Sequence, residues 1–164
     1  MTHRFAVAQP WLSTAARLFL AGVFIWAGWP KLIDGDGTVL SVRAFRILPD
    51  PVVTPFAYAL PMVELALAGL LIAGLLTRLA ALVTAAMMVM FLGGIIQAWA
   101  RGLSIECGCF GNTGALVTDP VPGYITDILR DIGFLLVALY LARWPRSAVA
   151  VDRFLQPSPT TARA

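Results

Sequence analysis

Both cysteines of the chain lie in one stretch, residues 101–114, which reads R-G-L-S-I-E-C-G-C-F-G-N-T-G. Cys107 and Cys109 are separated only by Gly108, so the two thiols are close whatever fold surrounds them and are read as a unit. A disulfide across one intervening residue closes a small ring, and glycine is best able to take the dihedrals such a turn demands. Strain makes that bond easier to reduce, so it accepts electrons readily and can pass oxidation to a partner thiol. As a staple it would achieve little, because a loop this short removes little entropy from the unfolded chain. Two reduced cysteines packed in a tight turn are the plain alternative. Glu106 disfavours a thiolate at Cys107 while Arg101 would favour one, which leaves the attacking sulfur open. A soft cation such as Cu(I) would find too few donors, since Met62, Met87, Met88 and Met90 read as apolar packing. His3, the only histidine, is at the amino terminus, and no metal is expected.

The elements that must hold this pair are membrane helices. The 164 residues are 59% hydrophobic and 13% charged, whereas charged residues make up about a quarter of a soluble domain. Mean hydropathy is +0.82. The formal net charge of +3 does not mark a nucleic-acid binder, because the basic residues stand singly at the ends of apolar runs. Four runs, residues 11–29, 56–76, 79–99 and 124–144, are each long enough to cross a hydrocarbon core about 30 Å thick. The first is longer than a signal-peptide core and no small-x-small cleavage pattern follows it, so it is expected to stay as a span anchored by Trp11 and Trp29. In the first connection Asp34-Gly35-Asp36-Gly37 reads as a turn. Val39, Leu40, Val42, Phe45, Ile47 and Leu48, interleaved with Arg43 and Arg46, then read as a short helix on the membrane surface. Gly69, Ala73, Ala81 and Ala85 would let the second and third spans approach closely. The expected fold is all-α: an integral membrane four-helix bundle in one domain, residues 1–144, with a short interfacial helix in the first external loop. A polar tail, residues 145–164, is expected to be disordered.

With the amino terminus inside, Arg4, Arg78, Arg143, Arg146 and Arg153 gather on the inner face, against Lys31, Arg43, Arg46 and Arg101 outside. Both termini are thus expected in the cytoplasm and the cysteine loop on the oxidising side, where a disulfide persists. Ionisable residues within spans are costly unless they pair or line a polar cavity. Arg130 is three residues from Asp127 and next to Asp131, so an ion pair on the fourth span is expected. Lys31, Gln97 and Asp131 should converge beneath the cysteine loop, with Glu64 deeper in the second span and needing a partner such as Arg17 or Arg130. Arg17, near the inner interface, reads as a snorkelling residue. Such a layer could stabilise a thiolate, relay protons or bind a quinone head group; its plain alternative is adhesion between helices.

Several segments together resemble the DoxX/MauE family of bacterial membrane proteins. They are R-L-F-L-A-G-V-F-I-W-A-G-W-P-K-L, L-P-M-V-E-L-A-L-A-G-L-L-I-A-G-L-L-T-R, R-G-L-S-I-E-C-G-C-F-G and L-R-D-I, within residues 16–143. The resemblance implies a plasma-membrane protein of four spans that serves the redox maturation of exported proteins. MauE-like members are linked to disulfide formation in the small subunit of methylamine dehydrogenase beside a thioredoxin-like partner, and DoxX and DoxD relatives to thiosulfate:quinone oxidation. Carried onto this chain, it marks Cys107 and Cys109 as the redox pair, with Glu64, Arg130 and Asp131 as the matching charged positions. The cysteine pair favours the MauE-like side. The expected function is therefore a membrane thiol–disulfide relay with a thioredoxin-like or redox-enzyme partner and a quinone as candidate cofactor. The alternative is a non-catalytic scaffold for a redox enzyme complex.

Overall fold

The computed structural model describes residues 2–105, 116 and 118–152, with side chains from Ala8 onward. Cys107 and Cys109 lie outside the described residues. Among the described residues five helices follow in order: α1 (Thr2–Ile33), α2 (Gly35–Ala44), α3 (Asp50–Ala73), α4 (Thr77–Ala100) and α5 (Val121–Arg143). α1 packs along α3 and α4 along α5, and contacts of α1 with α5 and of α3 with α4 close the bundle. The long helices alternate in direction. The carboxyl ends of α1 and α4, all of α2 and residues 101–105 and 118–120 therefore share one end, and the α3–α4 turn and residues 145–152 share the other.

Helical spacing selects what is buried. On α1 the buried positions include Ser13, Arg17, Leu20, Phe24, Ala27 and Lys31, at steps of three and four. On α3 they include Val53, Ala57, Pro61, Glu64, Leu67 and Leu71. The opposite faces are not polar. Trp11, Phe19, Trp26, Leu79, Val89 and Leu136 point outward and are exposed, the inverse of a water-soluble helix, and they face the hydrocarbon of a bilayer. Ala8–Ile33, Asp50–Ala73 and Thr77–Ala100 are long and apolar enough to cross a membrane. α5, at 23 residues, matches them in length, but Asp127, Arg130 and Asp131 interrupt its apolar character and it does not qualify on composition.

The first connection differs from expectation in detail. Asp34-Gly35-Asp36-Gly37 begins a helix instead of making a free turn, because the Asp34 carboxylate accepts from the Gly37 N–H at 2.8 Å and caps α2. α2 ends at Ala44, so Phe45, Ile47 and Leu48 follow the helix and fold over the bundle.

The far end is strapped. α3 stops at Gly74, whose φ of +65° is left-handed backbone open to glycine, and the chain reverses through Leu76 into α4. No side chain at Leu76 caps α4. Residues after α5 do so: Asp152 accepts from the backbone N–H groups of Leu76 and Thr77, each at 2.8 Å. The Val151 and Asp152 N–H groups donate to the Ala73 and Gly74 carbonyls at 3.1 and 3.0 Å, and the Ala148 N–H donates to the Pro10 carbonyl at 3.1 Å. Residues 145–152, expected within a disordered tail, are packed because they supply partners that two helix ends lack. Arg17 does not snorkel either; it is 2% exposed and donates through Nη2 to the Val149 carbonyl of this strap.

Burial works against the charged form of Asp152. The N–H donors of Thr77 and Leu76 and the nearby Arg17 guanidinium outweigh it and hold the carboxyl below its usual range. A depressed carboxyl stabilises the fold above its unfolded pKa, and that contribution is lost as the pH falls through its folded pKa. Asp152→Asn should therefore lower the melting temperature of the detergent-solubilised protein at pH 7, by the equivalent of about 1 kcal/mol for a lost charged cap. The gap between wild type and variant should narrow as melting is repeated at acid pH, and a constant gap would count against the cap.

Candidate functional site

Charges meet where α1, α3 and α5 face one another. Lys31, in the last turn of α1, turns inward and is 5% exposed; Glu64, halfway along α3, is 0% exposed. Lys31 Nζ donates to Glu64 Oε1 at 2.5 Å. Gly28, one turn before Lys31, allows the approach. A Cβ there would lie 3.2 Å from both Glu64 Cβ and Leu65 Cγ, tighter than ordinary packing. Glycine thus brings the two backbones together at the level of the ion pair, as small residues do between membrane helices. The Lys31 ammonium also sits 5.5 Å from the centre of the Phe91 ring on α4, within range of a cation–π contact.

Asp131, on α5, is 2% exposed. Arg130 holds it at 3.2 Å and reaches Asp127 at 2.7 Å, so the helix carries its own compensation. Glu64 and Asp131 line one internal gap of about 10 Å³ with Phe24, Met88, Phe91 and Phe134. Each keeps one buried carboxylate oxygen, Glu64 Oε2 and Asp131 Oδ2, without a hydrogen-bond partner among the described residues. A gap of this size is at the lower limit for one water molecule.

On the other side of Phe91 is a larger cavity of about 210 Å³, roofed by α2 and the residues after it and walled by α1, α3 and α4. Lys31 and Phe91 border it, so the ion pair stands between the cavity and the carboxylate gap.

Of the residues the sequence singles out, Lys31, Glu64, Arg130 and Asp131 come together. Glu64 takes Lys31 as its partner and neither Arg17 nor Arg130, because Gly28 lets α1 close on α3 and Arg17 is held by the strap. Gln97 borders neither cavity; it lies higher on α4, with its amide oxygen buried and unpartnered among the described residues. Phe91 and the hollow under α2 went unanticipated, although Gly28 and Lys31, three apart on the buried stripe of α1, are a legible sign of a polar contact. The cysteine segment is pinned at its feet. Ile105 and Leu116 form an antiparallel bridge, and Tyr124, 1% exposed, donates to the Leu103 carbonyl at 2.6 Å and accepts from the Ile105 N–H at 3.4 Å. Leu103, Ile105 and Tyr124 lie at the end of the bundle shared by Lys31 and α2.

An all-helical bundle with lipid-facing apolar surfaces and a buried lysine–glutamate pair is an integral membrane protein built around an internal polar site. Residues 9–143 match the family model described as methylamine utilisation protein MauE, and the chain belongs to the MauE family. It is 34% identical over 142 residues to methylamine utilization protein MauE of Paracoccus denitrificans, covering 86% of this chain and 74% of that one. It is 38% identical over 140 residues to that of Methylophilus methylotrophus, covering 85% and 72%. Against that of Methylorubrum extorquens it is 38% identical over 107 residues, 65% and 58%. No solved structure matches the chain.

Removing one member of a buried pair strands the other, at a cost of about 3–5 kcal/mol, whereas replacing both with apolar residues is often neutral. Lys31→Met alone should therefore melt far below wild type, and Lys31→Met/Glu64→Leu should recover most of the loss. A double variant as unstable as the single one would show that the charges do more than compensate one another. Gly28→Leu, which drives a side chain into Glu64 and Leu65, should destabilise the bundle in the same melting assay.

Proposed function

We propose that this MauE-family protein is a membrane thiol–disulfide relay whose redox pair is Cys107 and Cys109. The observation that carries the reading is a Cys-Gly-Cys sequence on a segment whose feet are bracketed by the Ile105–Leu116 bridge and the Tyr124 hydroxyl. Thiol exchange with a second protein needs two adjacent sulfurs on a short connection, and the bracketed feet supply its two ends. Lysine and arginine distribution puts that loop on the extracytoplasmic side of the plasma membrane, with both termini in the cytoplasm.

The exchange balances simply. A dithiol on an extracytoplasmic thioredoxin-like protein or redox enzyme attacks the Cys107–Cys109 disulfide; the partner leaves as a disulfide and the two cysteines as thiols. Two electrons and two protons arrive with that step, and a membrane quinone that becomes a quinol is the acceptor class that removes them. The relatives are named for methylamine utilisation, and an accessory redox role in maturing an exported enzyme of that kind is the reading we adopt. The DoxX side of the resemblance rests on sequence motifs alone, and we assign no thiosulfate chemistry.

In Cys107→Ser or Cys109→Ser the remaining thiolate should attack the disulfide of the oxidised partner, the reverse half of the exchange, and trap a mixed disulfide visible as a reductant-sensitive band after alkylation in cells. Wild-type activity in both serine variants, or a pair whose alkylation never changes with redox state, would replace the relay with a non-catalytic scaffold.

A further inference from the structure

We infer that the cavity beneath α2 is the binding site for the ring of a membrane quinone, with Lys31 as hydrogen-bond donor to one ring oxygen. The site and its occupant are argued from the cavity walls, and only the electron source rests on the relay proposed above.

The walls select the ligand. Phe45, Phe56, Leu60, Phe91 and Gly94 make much of the lining apolar and aromatic, and Lys31 is the one charged group among the described residues that line it. An acyl chain would leave that donor unused. An anionic headgroup would meet an ammonium already neutralised by Glu64 at 2.5 Å. A neutral, planar ring with carbonyl oxygens uses both features: its faces pack on the phenylalanines, and one oxygen accepts from an ammonium that has donors to spare beyond the one given to Glu64. The volume, about 210 Å³, is below the roughly 300–1,000 Å³ of pockets that enclose whole ligands, so it suits a head group whose tail stays outside. The mouth agrees. Ile47 and Met90, both on the lining, are 53% and 43% exposed, which opens the cavity toward lipid.

What lies behind the donor fits the reaction such a ring undergoes. A quinone becomes a quinol by taking up two electrons and two protons, and a dithiol gives up the same as it closes to a disulfide. Lys31 faces the cavity, Glu64 is bonded to Lys31, and Asp131 shares the small gap behind Glu64. Both carboxylates have a buried oxygen without a partner among the described residues. Protons can therefore be held within the helices beside the ring, where lipid supplies none.

The test uses the full chain in nanodiscs and an azido-benzoquinone with a decyl tail. Photolabelling should fall on peptides containing residues 41–48 or 90–94 and be displaced by unlabelled decyl-benzoquinone. Lys31→Met should weaken retention at least about tenfold, the loss expected of a charged hydrogen bond. Because that variant also disturbs folding, Gly94→Leu is the independent arm. A Cβ at Gly94 would make only ordinary contact with Phe45, at 3.7 Å, so the longer side chain fills the cavity and leaves the ion pair in place. It should abolish displaceable labelling without lowering the melting temperature. Labelling that is not displaced, or wild-type retention by Gly94→Leu, overturns the assignment. The Cys107→Ser/Cys109→Ser variant should bind quinone as wild type does. A protein that binds quinone without cycling its cysteines keeps this site and loses the relay; one that cycles them without binding quinone loses this site alone.

Discussion

A lysine and a glutamate taken out of water into the middle of a helical bundle constrain everything around them. Their attraction offsets the desolvation of both only when the geometry is close and the partners cannot drift apart. The bundle meets that condition with a glycine at the crossing of α1 and α3, an aromatic ring against the ammonium and near-complete burial of both side chains. α5 solves the same problem differently. Arg130 and its two aspartates are neighbours on one helix, so their compensation is largely made before the helix meets its partners. The first arrangement ties helices together, and the second lets a charged helix sit among apolar ones.

The two ends of the molecule are finished by unlike means. At the end where α1 and α4 finish, α2 and the residues after it lie across the helices and leave a hollow, and Tyr124 ties down Leu103 and Ile105. At the other end a strap of backbone hydrogen bonds draws residues 145–152 across α1 and the α3–α4 turn.

Much of this was legible in the residues. Apolar runs of the right length gave the long helices, and the charges of α5 pointed to each other through spacing alone. Glu64 was legible as a problem that needed a partner, but not as Lys31, because the choice depends on how closely two helices pack, and Gly28 decides that through an absent side chain. The strap was illegible for a similar reason: Pro145, Arg146 and Ser147 have the composition of a free tail, and they are ordered by helix ends far away in sequence that lack donors and acceptors. The hollow under α2 depends on Phe45 and Leu48 folding back after the helix stops, a tertiary event with no periodic signature.

The strap also sets an order of assembly. Asp152 follows α5, so the first turn of α4 stands without its acceptor until α5 has been synthesised and has brought the chain back to the α3–α4 turn. α1 and α3 carry their own matching contacts and can pair well before then. The latch on that turn is in this way made only after α1 to α5, and a chain cut before Asp152 would hold those helices without it.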